Sequence, residues 1–228
     1  MNNKIAIISD IHANLAALLQ ALQLINKEGI DSVFCCGDII GYGNDANECC
    51  DLIRSLNCKT VAGNHDLAVI GKSKFRHNFS KKAIMAIEQT ASIISPENQA
   101  WLETLPLIHC DVELTITHAT LHFPKKWLYV TVEKCSEYGF YQDVRESFDR
   151  LTGSICFVGH SHIPSLYIEK PDGTIEVLQP DSYPYKLQGR AIVDVGSVGN
   201  ARTLGNKGSF VIFDRKERTV QFKSFPLD

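Results

Sequence analysis

Val61-Ala62-Gly63-Asn64-His65-Asp66 is the stretch from which the rest of the chain can be read. The short run Lys59–Val61 has strand character and enters a glycine. An amide, an imidazole and a carboxylate follow at once, and each can hold a metal or a proton. Gly63 permits a backbone turn that a side chain would obstruct. A strand that ends this way puts reactive groups at the carboxyl end of a sheet, where open α/β sheets keep their ligands.

Working outward, four more apolar runs stop at residues of the same chemistry. Asp10-Ile11-His12 ends the first and Gly37-Asp38 the second. His118 ends a run near the middle, and Gly159-His160-Ser161-His162 ends another. Between the early runs lie helical patterns. Leu15, Leu18, Leu19, Leu22 and Ile25 recur at helical spacing, with Asn14 as N-cap and Gly29 as stop, and residues 47–56 read as a second helix. Lys4–Ser9, Ser32–Cys36 and Lys59–Val61 are then three strands of a parallel βαβαβ opening.

Residues 80–94 are predicted helical, with Ile84, Ile87 and Ala91 on one face. Ser95-Pro96-Glu97 opens another helix, Pro96 at its first position. Leu107–Cys110 and Leu114–Thr117 read as a hairpin around Asp111, residues 119–124 as a loop, and 135–150 as mostly helical. The last third is strand: 155–158, a hairpin of 165–169 and 174–179 around Pro171-Asp172-Gly173, then 191–195, 208–214 and 219–224. Ser182-Tyr183-Pro184-Tyr185 reads as a turn. No repeat or linker divides the chain, so a single domain over residues 1–228 with two packed sheets is expected.

Composition narrows the class. A chain of 228 residues with 44% hydrophobic and 21% charged residues is that of a soluble globular protein. The net charge of -3, with no run of five like charges, carries no signal for nucleic acid or membrane. No secretory leader or membrane span is legible, and the eight cysteines show no Cys-x-x-Cys. Reduced thiols in a cytoplasmic protein are expected. The oligomeric state cannot be read.

If the five strand ends share one rim, they supply nitrogen and hard oxygen but no thiolate. That set suits manganese, iron, zinc or a related divalent metal. It exceeds what one tetrahedral ion needs and matches two ions sharing a carboxylate, roughly 3.5–4 Å apart. Two aspartates leave such a pair with surplus positive charge. A phosphate ester is the natural anion, with a metal-activated hydroxide as nucleophile.

Asp-x-His, Gly-Asp-x-x-Gly, Gly-Asn-His-Asp, a lone His and Gly-His-x-His, in that order, resemble the calcineurin-like metallophosphoesterases. The resemblance implies an α/β fold: a four-layer sandwich of two mixed sheets flanked by helices, carrying a dinuclear metal centre. It assigns Asp10, His12, Asp38 and His162 to one ion, with Asp38 bridging. Asn64, His118 and His160 complete the other. It places His65 beside the leaving oxygen as proton donor, with Asp66 as its partner or as a cap for the following segment. Manganese leads among the implied metals, ahead of iron, zinc, nickel and magnesium.

Protein Ser/Thr phosphatases and diadenosine tetraphosphatases of this family carry Arg-Gly after the Gly-Asp segment. This chain has Ile40-Gly41-Tyr42-Gly43 there and is more similar to a compact bacterial-type phosphodiesterase branch. That branch ends its domain with Asn-x-Gly-Ser-x-Gly-x-Pro-Arg. Here the pattern runs from Asp194 to Arg202, with Asp for Asn and Ala201 for Pro. Arg202 is a candidate for substrate phosphate and His122 for substrate contact. Tyr42, Phe123, Trp127 and Tyr129 are candidate walls for an organic group, and His77 and His109 are read as structural. The implied activity is hydrolysis of a small phosphodiester. The alternatives are a phosphomonoesterase or nucleotide phosphatase, or a non-catalytic scaffold on the same fold.

Overall fold

The computed structural model describes residues 3–73, 79–130, 140–181, 183–203 and 205–227. Strands β1 (Lys4–Ile8), β2 (Val33–Cys35) and β3 (Lys59–Thr60) alternate with helices α1 (Leu15–Lys27) and α2 (Ala46–Ser55). Helices α3 (Asn64–Val69), α4 (Lys81–Ile93) and α5 (Pro96–Thr104) follow, then the hairpin β4 (Ile108–Cys110) and β5 (Leu114–Thr117). After α6 (Phe140–Arg150) come β6 (Ile155–Val158), β7 (Ser165–Glu169), β8 (Ile175–Leu178), β9 (Tyr185–Lys186), β10 (Arg190–Asp194), β11 (Lys207–Asp214) and β12 (Thr219–Pro226).

Two six-stranded sheets result, ordered β3-β2-β1-β11-β12-β9 and β4-β5-β6-β10-β7-β8. In the first, β1, β2 and β3 run parallel. In the second, β5, β6 and β10 do. The near-continuous apolar runs follow from burial on both faces. Ile5, Ile7, Phe34 and Cys36 point into the core between the sheets. Their neighbours Ala6, Ile8, Val33 and Cys35 point toward the helices. Period-two alternation thus serves two cores from one strand. The adjacent cysteines divide in the same way, and every described cysteine is a free thiol. The outer face of the second sheet packs on α6 through Val144 and Phe148. The order is helix, sheet, sheet, helix, as the family resemblance implies.

Local chemistry sets the helix starts. The side chains of Asn14, Ser80 and Ser95 accept the backbone N–H of Ala17, Ala83 and Asn98, each at 3.1 Å. Three expectations need correction. Helix α4 buries Ala83, Ile87 and Thr90, while Ala91 is exposed; the helix is rotated so that its small residues meet the core. Leu19, assigned to the apolar stripe of α1, is 51% exposed. Tyr185, read as part of a turn, opens β9 and pairs with Val220 of β12. A two-residue edge strand leaves no periodicity for a sequence to show. The helix predicted over 135–150 is seen from Phe140; its earlier part and His77 lie outside the described residues. Among the described residues no helix is long and apolar enough to cross a membrane.

Candidate metal centre

The carboxyl ends of the parallel strands of both sheets meet at one rim. Backbone hydrogen bonds stitch them together: Asp10 N–H to Gly37 O at 2.9 Å, Gly159 N–H to His118 O at 2.9 Å and Gly199 N–H to Asp10 O at 3.0 Å. Beyond the strands the chain turns sharply. Asp10, His12, Asp38, His160 and His162 all have left-handed φ, between 52° and 71°. Such conformations cost on the order of 1–3 kcal/mol each in non-glycine residues and persist where the surroundings enforce them. Here they swing side chains from separate strands into one volume. The motif glycines follow from the same crowding. A Cβ at Gly63 would collide with Asp38 Oδ1, and one at Gly159 with Asp10 Oδ2.

Four imidazoles each give one ring nitrogen to a backbone carbonyl. His12 Nδ1 lies 3.3 Å from Ile40 O, His118 Nδ1 2.8 Å from Cys36 O and His160 Nε2 2.9 Å from Trp127 O. His162 Nδ1 bonds to Asn200 O. A carbonyl only accepts, so each of these nitrogens carries the proton and the other nitrogen is turned inward with its lone pair. His12 Nε2 and His162 Nε2 then face each other at 3.1 Å. His118 Nε2 faces Asn64 Oδ1 at 3.0 Å and Asp38 Oδ2 at 3.3 Å. His162 Nε2 is 3.1 Å from Asp10 Oδ1, a fully buried oxygen with no hydrogen-bond partner among the described residues. Acceptors at these separations repel unless a proton or a metal ion lies between them.

The electrostatics state the same demand. Burial alone would raise the Asp10 and Asp38 carboxyls, but His162 and His118 outweigh it and both stay well below the usual carboxylate range. Burial also opposes a His118 cation, yet Asp38 and Asp10 push that imidazole up to about 10. His162 and His160 go the other way, lowered chiefly by burial, His160 to about 3. Three groups, Asp10/His12/His162, His12/Asp38/His65 and Asp38/His118/His160, have donor atoms within 4.8 Å of one another. Oxygen and imidazole donors without thiolate fit a hard or borderline divalent cation. All seven sequence-predicted ligands are buried together here.

The other candidates divide. His65 is buried between His12, Tyr42 and Phe79, with Nδ1 unpartnered. Burial lowers it to about 3. Asp66 is tied to backbone. Its carboxylate accepts the N–H groups of Asp38, Ile39 and Gly63, each at 2.9 Å, and Ile40 at 3.3 Å. It braces the loop bearing Asp38 against the start of α3, which is the geometry of a cap. Burial and the Asp38 charge push it up to about 6, against the pull of the N–H donors.

His122 Nδ1 meets Ser147 Oγ at 3.0 Å and its Nε2 lies 3.2 Å from Asp143, so it ties its loop to α6. Phe123 is 46% exposed and covered by Lys126. Tyr42, Trp127, Tyr129 and Arg202 line a cavity of about 460 Å³ above the centre. Burial raises the Tyr42 hydroxyl, while Arg202, hydrogen-bonded to it, acts in the opposite sense.

Sequence reasoning missed the supporting carbonyls and one buried pair. Asp194 Oδ2 accepts the Ser161 hydroxyl at 2.6 Å, between His160 and His162. Ser197 Oγ donates to Asp10 O at 2.8 Å. The Gly-Ser pattern after Asp194 was the available signal, since it marks a turn that must close on another segment.

A family profile described as the calcineurin-like phosphoesterase superfamily domain matches residues 4–218. An uncharacterized protein of Methanocaldococcus jannaschii is 38% identical over the whole chain, which covers 89% of that protein. A metallophosphoesterase structure from Sphaerobacter thermophilus superposes with a TM-score of 0.81 at 30% identity, covering 100% of this chain and 90% of that one. The symmetrical bis(5'-nucleosyl)-tetraphosphatase of Actinobacillus pleuropneumoniae is 30% identical over 50% of the chain, a stretch that spans 43% of that enzyme. With its ordered motifs, two-sheet sandwich and clustered donors, the chain belongs to the calcineurin-like phosphoesterase superfamily and is a hydrolase of phosphate esters.

Proposed function

We propose that the protein hydrolyses a small phosphodiester with two divalent ions held by Asp10, His12, Asp38, Asn64, His118, His160 and His162. The observation that carries this reading is the position of Asp38, whose carboxylate belongs to ligand groups on both sides of it. Divalent ions held by these residues would supply Lewis acidity toward phosphoryl oxygens and a nucleophile near neutral pH. Manganese is the first choice, with iron, zinc, nickel or magnesium as the alternatives.

The chain's own groups do the rest. Asp10 and Asp38 balance part of the cationic charge. The neutral His65 offers an N–H to the leaving oxygen. Arg202 grips the non-reacting phosphoryl oxygens. Asp66 keeps Asp38 and Asn64 in register. A diester is favoured over a monoester because two cavities flank the centre. The cavity of about 460 Å³ and a second of about 320 Å³ share Tyr42 as a wall, and His12 lines the second. A monoester needs only one.

The tetraphosphatase relatives support a second reading, hydrolysis of a nucleoside polyphosphate. One assay separates these: purified protein with Mn²⁺ against bis-p-nitrophenyl phosphate, p-nitrophenyl phosphate and a dinucleoside tetraphosphate, with and without chelator. The diester is expected to turn over fastest and only with metal. Preference for the tetraphosphate would favour the second reading. Absence of metal-dependent turnover across the panel would leave a scaffold.

A further inference from the structure

The larger cavity is walled by aromatic rings, each of which leans on an imidazole of the centre. Tyr129 lies flat on His160, centroids 4.3 Å apart and planes 11° apart. Tyr42 contacts His65 at 4.7 Å and His12 at 4.8 Å, and Phe79 meets His65 edge-on at 5.2 Å. Tyr42, Phe79 and Tyr129 are only half-buried. One part of each ring fixes an imidazole, and the remaining surface opens on the cavity. Aromatic surface left facing a cavity of this size offers stacking to a flat ligand.

The charge of the walls adds a second requirement. Arg202 and Lys126 both line the cavity and are exposed. Arg202 sits toward the Tyr129 ring, its guanidinium carbon 6.0 Å from the centroid. The lining acid outside the ligand set, Asp143, lies 3.2 Å from His122 Nε2. With Arg202 assigned to the phosphoryl group being cleaved, Lys126 is the second lining cation, its ammonium 3.9 Å from the centre of the exposed Phe123 ring. The smaller cavity is different in kind. Besides Tyr42 and His12 it is lined by Ala13, the Asn14, Asn44 and Asn200 amides, Asp45 and glycines, with no cation among them.

We infer that the larger cavity is a subsite for a flat aromatic arm carrying a further negative charge, seated among Tyr42, Phe79 and Tyr129 with that charge on Lys126. This is the chemistry of a nucleotide arm, and it makes Phe79, Tyr129 and Lys126 specificity-determining residues. The inference rests on the proposal that a phosphate ester occupies the centre.

Calorimetry on the Mn²⁺-loaded protein tests it with four probes: inorganic phosphate, ribose 5-phosphate, adenosine 5'-monophosphate and adenosine 3',5'-bisphosphate. The monophosphate should bind roughly tenfold more tightly than ribose 5-phosphate, the size of one stacked base. The bisphosphate should bind more tightly still. Phe79→Leu should shrink the first gap to about threefold or less without changing phosphate affinity or metal content. Lys126→Gln should abolish the second gap and leave the first. Tyr129→Leu should act as Phe79→Leu does. If it also releases metal through His160, Phe79→Leu carries the test, because Phe79 touches His65. Equal binding of the monophosphate and ribose 5-phosphate, or gaps that survive these variants, would overturn the inference. Turnover of bis-p-nitrophenyl phosphate, measured in parallel, keeps the readings apart. Turnover without a gap sinks the subsite alone, and a gap without turnover sinks catalysis alone.

Discussion

The floor of the site and its rim are built by opposite rules. On the floor, side chains are buried and tied to backbone: His118 to Cys36 O, His12 to Ile40 O, Asp66 to a run of N–H groups. On the rim, Arg202 and Lys126 are exposed, and Tyr42, Phe79 and Tyr129 are half-buried. Ligand positions on the floor are set by strand register, so any change there is felt by several groups at once. Rim side chains stand on loops and act one by one. Floor variants should therefore lose metal and stability together, whereas variants of the exposed rim cations Arg202 and Lys126 should alter substrate affinity alone.

Asp38 gives the largest expected effect. Asp38→Asn removes a negative charge from a position that serves ligand groups on both sides, and it weakens both. Bound metal measured by mass spectrometry should fall toward zero. The catalytic constant should drop by at least on the order of a thousandfold, since metal contributes several kcal/mol to such reactions. Full metal content with unchanged turnover would show that Asp38 is not shared.

Asp66→Asn comes next, and it separates bracing from chemistry. Both carboxylate oxygens accept N–H groups. An amide can accept at only one side and turns a donor toward the donors on the other. Two buried N–H groups left unpaired cost about 1–3 kcal/mol each. Urea unfolding in the presence of chelator should show a loss of roughly 2–6 kcal/mol. Wild-type stability in that experiment would mean the loop holds its shape without Asp66.

The same division explains what the sequence could reveal. Asp10, His12, Asp38, Asn64, His118, His160 and His162 were legible because each ends an apolar run, and parallel strands carry their ends to a common edge. The helix starts at Asn14 and Ser95 were legible from capping chemistry, and helix α4 from the spacing of its apolar residues. The partners of His122 were not. It stands four residues past His118 in a loop, and it meets Ser147 and Asp143 only because α6 packs there. Asp66 sits in the motif beside His65, so spacing joined it to the chemistry, while its true partners lie on the neighbouring loop. Strand β9 depends on an edge of β12 that pattern cannot foresee. Periodicity and caps are local, whereas loop partners are chosen by tertiary contact.

Arg202 tests the rim side of the comparison. Arg202→Ala removes an exposed guanidinium at the cavity mouth and its hydrogen bond to the half-buried Tyr42. If it binds ground state and transition state alike, KM should rise by about tenfold with kcat little changed, since a charged hydrogen bond contributes roughly 1.5–3 kcal/mol. Melting temperature and metal content should not move. A fall in metal content would place Arg202 with the floor.

The smallest expected effect is a gain. Asp194 is fully buried, and its oxygens accept only the Ser161 hydroxyl at 2.6 Å and the Gly196 N–H at 3.0 Å. Burial holds its carboxyl well above the usual value of 3.8, further than these two bonds can offset. A carboxyl raised in this way binds its proton more tightly in the folded chain. Its stabilising contribution is complete below the unfolded value and is lost as pH rises through the folded value. An amide in place of this carboxyl can accept from Gly196 with its oxygen and donate to Ser161 with its nitrogen, and it has nothing to ionise. Asp194→Asn should therefore match the wild type near pH 3.5, where the native carboxyl is largely neutral in both states. It should melt higher at pH 8, by about 2–4 °C for each kcal/mol of relieved burial. A variant that melts lower at pH 8 would mean that the anion is held between His160 and His162 for the sake of the metal centre. Asp194 would then belong to the floor in charge as well as in position.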